Sequence, residues 1–235
     1  SVVDGLDFLL ADWSTMEKWA DLPAVARGGK QPLEQARQIA SELQKMTLSK
    51  KVTNELKDIQ EDILGTYCFG AGPGPHIEIY WMPIALVAGM LQIRVEDLTV
   101  VVLAHELAHG YSHLGVDIDG RTWDTQGFAS SAKGVLEGLA QFYTAVVTEK
   151  IASRMPDAHD AYKRFLTLQG GPYHAHLGWL KDNPAHRGEI VRFAMLAARI
   201  QGKVDDPDWQ STLAQTAQQL ARKKQKGGEQ PELFR

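Results

Sequence analysis

Residues 105–109 read His-Glu-Leu-Ala-His, so two histidines are four residues apart and a glutamate directly follows the first. On a helix, side chains with this spacing lie one turn apart on the same face, and His105 and His109 can bind one metal ion together. Glu106 points away from that face by about a quarter turn. It can therefore lie beside a water on the metal and take its proton. The pattern predicts a metal site with its own general base.

The motif follows the apolar run Val-Val-Val-Leu-Ala at 100–104, which indicates a buried helix. Two imidazoles and a carboxylate in an apolar core need polar or ionic partners, because burying such groups alone costs free energy. A bound cation supplies one such partner. The alternative interpretation is a pair of core histidines with no role in metal binding.

A catalytic zinc site usually has three protein ligands and one open position. Glu137 is the predicted third ligand, because it lies in GVLEGLAQFYT, far enough from the motif for a loop and an antiparallel second helix. The small residues Gly138 and Ala140 would let this helix pack closely. The main alternative ligand is Asp124, in the segment between the two helices. Asp117 and Asp119 are weaker alternatives, and these two could instead orient a histidine ligand.

His113 continues the histidine stripe, but it lies two turns, roughly 11–12 Å, from His105. One ion cannot bridge all three histidines. We therefore expect His113 at the surface, or hydrogen-bonded to a ligand. The metzincin pattern would continue with Gly-x-x-His, but Ser112 and Gly115 occupy those glycine and histidine positions.

Hydrophobic periodicity predicts the elements that position these residues. The motif lies on a long central helix, Val95–Leu114, and Glu137 lies on a helix over 133–153. Alternation predicts a strand, His76–Trp81, whereas 65–75 is rich in glycine and proline and predicts a turn. Residues 116–131 are expected to form a loop. Further helices are predicted at 32–46, 51–64, 157–168, 185–201 and 207–222.

The predicted fold class is α+β and mainly helical, with a small sheet around the central helix. We expect a single domain over 1–235. It comprises an N-terminal helical part (1–75), a metal-site core (76–150) and a C-terminal helical part (151–235). Hydrophobic residues make up 44% of the chain, which suffices for one sizeable core.

The net charge of −4 and the isoelectric point of about 6.1 do not favour nucleic acid or an anionic membrane as a partner. The longest apolar runs are far shorter than the ~20 residues of a membrane helix. Cys68 is the only cysteine, which fits a reducing compartment. We therefore expect a cytoplasmic protein. The sequence leaves the oligomeric state open.

With His105, Glu106, His109 and Glu137, the chain resembles the zincin metallopeptidases, specifically the gluzincin type with two histidine ligands and one glutamate ligand. The stretch HELAHGYSH, followed by a helix with Glu137, is also similar to the ImmA/IrrE-type peptidases. The resemblance covers about residues 76–150. It implies a zincin-like core and one Zn²⁺ per chain, with Glu106 as general base and a peptide or protein as substrate.

The resemblance also gives the strand His76–Trp81 a role, because zincins pair extended substrate with an edge strand near the motif helix. A plain packing strand is the alternative. Zincins often stabilise the developing oxyanion with a histidine, tyrosine or arginine. The candidates here lie in the glycine-flanked segment GGPYHAHLGW and on the second helix: Tyr173, His174, His176 and Tyr143.

The sequence therefore predicts a zinc metallopeptidase that hydrolyses a peptide amide bond. The first alternative is a catalytically silent zincin-fold module that binds or regulates. The intact Glu106 argues against it, since a site without turnover has less need of a base. The second alternative is a helical protein without metal, which leaves the histidine pair unexplained.

Overall fold

A computed structural model of the chain describes residues 64–70, 74–116, 118–181 and 186–226. Helices dominate these residues, and a small antiparallel sheet of two strands accompanies them. The mainly helical α+β class predicted from the sequence is thereby confirmed. The helix predicted over 32–46, and all but the last residue of that over 51–64, lie outside the described residues.

The sheet consists of β1 (Gly65–Cys68) and β2 (His76–Ile79). Exposed and half-buried residues alternate along β2, as predicted. The strand ends at Ile79, two residues earlier than predicted. Trp81 instead begins the next helix, and its side chain is 71% exposed. The turn predicted from Gly65 is wrong for β1, where pairing with β2 outweighs the local glycine content.

Two helices follow the sheet, α1 (Trp81–Leu91) and α2 (Val95–Leu114). Helix α2 spans the predicted residues, and two acidic residues in its first turn favour its N-terminus. Its last residue is followed by Gly115, whose N–H donates to the Tyr111 carbonyl at 2.9 Å. A Cβ at Gly115 would lie 2.7 Å from that same oxygen, so the close approach requires glycine.

The next two helices are α3 (Thr125–Ser130) and α4 (Lys133–Lys150). Helix α3 lies within the predicted loop over 116–131, so that part of the prediction is wrong. A helix of six residues is too short for hydrophobic periodicity to reveal it, and its capping residue is the only local signal. Helix α4 ends at Lys150 rather than at Ser153.

The remaining elements are helical: α5 (Ala158–Leu166), α6 (Gly171–His174), a 3₁₀ turn (Ala175–Gly178), α7 (Arg187–Gln201) and α8 (Asp206–Lys226). Three of them, α5, α7 and α8, were predicted. The glycine-flanked segment GGPYHAHLGW forms α6 and the 3₁₀ turn. None of the helices in the described parts of the chain is both long and apolar enough to cross a membrane.

Backbone contacts group the chain into two units. The first contains the described residues 64–66, Ile77–Glu106 and Thr144–Gln169. Its core combines the beginning of α2 with residues of α1 and α5: Leu64, Ile84, Val87, Ala88, Leu98, Val101, Val102, Ala161 and Tyr162. Helix α2 is not buried on every side, because its apolar residues Leu103 and Leu107 are exposed.

The second unit contains the described residues of Tyr67–His76, Leu107–Tyr143 and 170–226. Tryptophans dominate its core, and the rings of Trp179 and Trp209 lie 5.1 Å apart. A Cβ at Gly138 would collide with the Trp179 ring. The small residue after Glu137 therefore accommodates this tryptophan.

Candidate metal centre

Helix α2 carries both histidines of the motif. His105 and His109 lie one helical turn apart, and both are half-buried. A helix over this region was predicted from the sequence. Its regular geometry holds the two imidazoles on one face without any long-range contact.

Helix α4 brings Glu137 to the same histidines. The residue is 9% exposed, and its Oε2 lies 3.5 Å from Nε2 of His109. One ligand atom from each of His105, His109 and Glu137 lies within 4.8 Å of the other two. The structure therefore brings together the three residues that the sequence predicted as metal ligands.

The donor set of this group suits a zinc ion. Two imidazole nitrogens and a carboxylate oxygen are ligands that zinc accepts in catalytic sites. Ligands at about 2.0–2.1 Å from a tetrahedral zinc are roughly 3.4 Å apart, and the His109–Glu137 separation is 3.5 Å. Three protein ligands would leave a fourth position for water. The chemistry of the three donors and the spacing of His109 and Glu137 therefore fit zinc.

Glu106 is buried next to the ligands and is 5% exposed. It does not belong to the ligand group, which agrees with its different direction on the helix. Strand β1 packs against it: a Cβ at Gly65 would lie 3.3 Å from Cγ of Glu106 and 2.7 Å from Cγ1 of Val102. Only glycine at position 65 lets the strand approach the helix this closely. The sequence suggested a turn for Gly65, so this contact was missed.

The aspartates considered as alternative ligands lie elsewhere. Asp124 is exposed and caps α3, where its Oδ2 accepts from the N–H of Gly127 at 2.8 Å. Asp119 accepts from the N–H of Arg121 at 3.1 Å, within a turn. Neither belongs to the group formed by His105, His109 and Glu137. Asp117 lies outside the described residues.

His113 is 2% exposed, so the expectation of a surface histidine is wrong. Its ring stacks on Phe128 at 4.7 Å between centroids, and the Tyr67 hydroxyl lies 3.0 Å from its Nδ1. Burial lowers the pKa of His113 and raises the pKa of Tyr67, so both are neutral. A neutral imidazole carries one proton, so His113 donates to one of its two hydroxyl partners and accepts from the other, and the second partner is Thr125, whose hydroxyl lies 3.2 Å from Nε2. His113 thus ties β1 and α3 to the end of α2.

The four candidates for oxyanion stabilisation differ in their surroundings. Tyr173 and His176 are buried, and His176 Nδ1 donates to the Tyr173 carbonyl at 2.9 Å. Tyr143 packs edge-on against Tyr111 at 5.3 Å between ring centroids. His174 is half-buried on α6. The choice among the four stays a prediction.

We expect His176 to make the protein less stable in mild acid. Burial lowers the pKa of His176 from 6.5 to about 4, and the Tyr173 carbonyl only partly offsets this. Its contribution to stability is complete above 6.5, and it is lost as the pH falls towards 4, because the unfolded chain takes up the proton first. His176→Gln cannot protonate, so its unfolding free energy should fall less steeply in this range. Parallel denaturation curves for both proteins would contradict the prediction.

Replacing Glu137 should weaken zinc binding much more than replacing Asp124. Glu137→Ala removes a carboxylate beside His109, so we expect at least a tenfold loss of zinc affinity. Asp124→Ala removes only a helix cap and should leave the affinity nearly unchanged. Competitive titration with a chelator measures both. The opposite ranking would make an aspartate the third ligand.

No protein-family model, curated protein or solved structure matches this chain. The resemblance to zincins therefore stays a prediction, and it rests on His105, Glu106, His109 and Glu137.

Proposed function

We propose that this chain is a zinc-dependent metallopeptidase that hydrolyses an amide bond in a peptide or protein. The observation that carries the proposal is the convergence of His105, His109 and Glu137, with Glu106 buried beside them. A carboxylate next to two imidazoles and a third ligand is the arrangement that metal-assisted hydrolysis needs. One Zn²⁺ per chain would be held by the three ligand residues.

When bound, zinc lowers the pKa of a water molecule and polarises a substrate carbonyl. Glu106 accepts the proton of the attacking water as the oxygen adds to the carbonyl carbon. It then donates that proton to the leaving nitrogen as the carbon–nitrogen bond breaks. Glycine at position 65 keeps the space beside Cγ of Glu106 free of a side chain, which a Cβ there would crowd at 3.3 Å.

The hairpin formed by β1 and β2 offers the protein a way to hold an extended substrate. The described part of the sheet consists of two strands, β1 and β2. A peptide added to an edge of this sheet would be held in register by main-chain hydrogen bonds. Strand β1 lies against Glu106, which favours this sheet as the substrate platform of a zincin-like core.

Digestion of a peptide library tests the proposal, with the products identified by mass spectrometry. We expect the zinc-loaded protein to cleave a subset of peptides, the chelator-treated protein to cleave none, and added zinc to restore the same cleavage sites. Cleavage that survives complete zinc removal would refute the proposal. Zinc-dependent peptide retention without cleavage would identify the silent binding module instead.

A further inference from the structure

A second group of metal-ligating side chains lies on the hairpin. Cys68 ends β1, His76 begins β2, and Glu78 follows two residues later. One ligand atom from each lies within 4.8 Å of the other two. A thiol, an imidazole and a carboxylate at this spacing are a donor set for a divalent transition metal.

These three residues share the face of the hairpin that points away from α2. Along β1 the side facing α2 carries Gly65 and Tyr67, since a Cβ at Gly110 would contact the Tyr67 ring at 3.4 Å. Side chains alternate along a strand, so Cys68 points to the opposite face. In β2, His76 and Glu78 are the exposed residues of the alternation. We call this the outer face, and it separates the group from His105 and His109.

Hydrogen bonds already orient two of the three ligands. Nδ1 of His76 lies 2.9 Å from the Gly74 carbonyl. A carbonyl can only accept, so Nδ1 carries the proton and the neutral ring presents its lone pair at Nε2. The Tyr80 hydroxyl donates to Oε2 of Glu78 at 2.7 Å. Metal-binding histidines and carboxylates typically have such supporting hydrogen bonds, which fix the direction of the donor atom.

Gly74 contributes to this arrangement through its backbone. Its φ of 95° lies in a region that L side chains rarely adopt. This conformation turns the chain directly before β2 and leaves the Gly74 carbonyl within reach of the His76 ring. The hydrogen bond that selects the histidine tautomer therefore depends on a glycine at this position.

We propose that Cys68, His76 and Glu78 form a second metal site, specific for a thiophilic divalent cation such as Zn²⁺. The thiolate disfavours Mg²⁺ and Ca²⁺, which prefer oxygen ligands only. The cation would link the end of β1 to β2 and clamp the hairpin. Binding needs the thiolate, so oxidation of Cys68 abolishes it and makes the clamp sensitive to redox conditions.

Cobalt substitution tests this site separately from the first one. Cys68 is the only cysteine, so sulfur-to-cobalt charge-transfer absorption in the near ultraviolet can come from this site alone. We expect the apoprotein to bind two equivalents of Co²⁺ and to show this absorption. Cys68→Ser should abolish the absorption and remove one equivalent. His109→Ala should remove the other equivalent and leave the absorption intact.

His76→Ala and Glu78→Gln decide whether the three residues act as one site. Each should weaken the cobalt affinity measured through the sulfur band at least tenfold. The control is His186→Ala, which removes another partly exposed histidine that lies beside a glutamate, Glu189. This variant should leave the cobalt affinity unchanged. An unchanged affinity in the first two variants would show that Cys68 binds cobalt alone, and would overturn the proposal. So would the absence of the sulfur band at saturating Co²⁺, whatever the outcome of the peptide digest.

Discussion

Glu106→Gln is expected to lower the rate of peptide hydrolysis by about 10²–10⁴-fold, the usual contribution of a general base. Glutamine has nearly the same size as glutamate and so fits the same space beside Gly65, but it cannot take a proton from water. Zinc binding relies on His105, His109 and Glu137, so the zinc content should not change. The variant should therefore be folded, loaded with metal and nearly inactive.

The measurement compares digestion of the same peptide library by both proteins at equal zinc occupancy. Glu96→Gln is a matched control, because Glu96 lies in the first turn of the same helix and its side chain is 65% exposed. It should cleave as fast as the unmodified chain. If Glu106→Gln cleaves at the same rate too, another group is the base and the proposed mechanism is wrong.

The local part of the metal centre could be predicted because a helix places residues by spacing alone. The apolar stretch predicted a helix over Val95–Leu114, and the four-residue interval then placed His105 and His109 on one face. Glu137 was found because the chain has room to return as a second helix. These inferences needed no knowledge of distant contacts.

The parts that could not be predicted depend on contacts between distant residues. Strand β1 has only four residues, too few for an alternation to stand out, and its pairing with β2 decides its conformation. The burial of His113 depends on Tyr67 and Phe128, which no local pattern connects to it. The role of Gly65 beside Glu106 is visible only when strand and helix are both in place.

Arg199 is the clearest case of a residue whose role only the structure reveals. Its side chain is fully buried, and its guanidinium donates to four carbonyls near the end of α2: those of Tyr111, Ser112, Gly115 and Arg121. The last carbonyls of a helix have no partner within the helix, and here a cation from α7 satisfies them. From the sequence alone, Arg199 is indistinguishable from any other charged residue of an amphipathic helix.

Arg199→Met should therefore lower the free energy of unfolding by about 3–5 kcal/mol. Methionine fills much of the same volume but donates no hydrogen bond, and each buried acceptor left unsatisfied costs about 1–3 kcal/mol. Relaxation of the loop after α2 and entry of water recover part of this cost. Chemical denaturation, followed by circular dichroism, measures the difference.

Arg164→Met is the matched control for this substitution. Arg164 pairs with Asp160 one turn away at 2.7 Å, and its side chain is 51% exposed. Exposed ion pairs of this kind contribute about 0–1 kcal/mol, so this variant should unfold almost like the unmodified chain. The two substitutions remove the same chemical group, and only burial and the carbonyl partners differ. If Arg199→Met also lowers the free energy of unfolding by only about 0–1 kcal/mol, the guanidinium of Arg199 is dispensable at the end of α2, and solvent satisfies the carbonyls there.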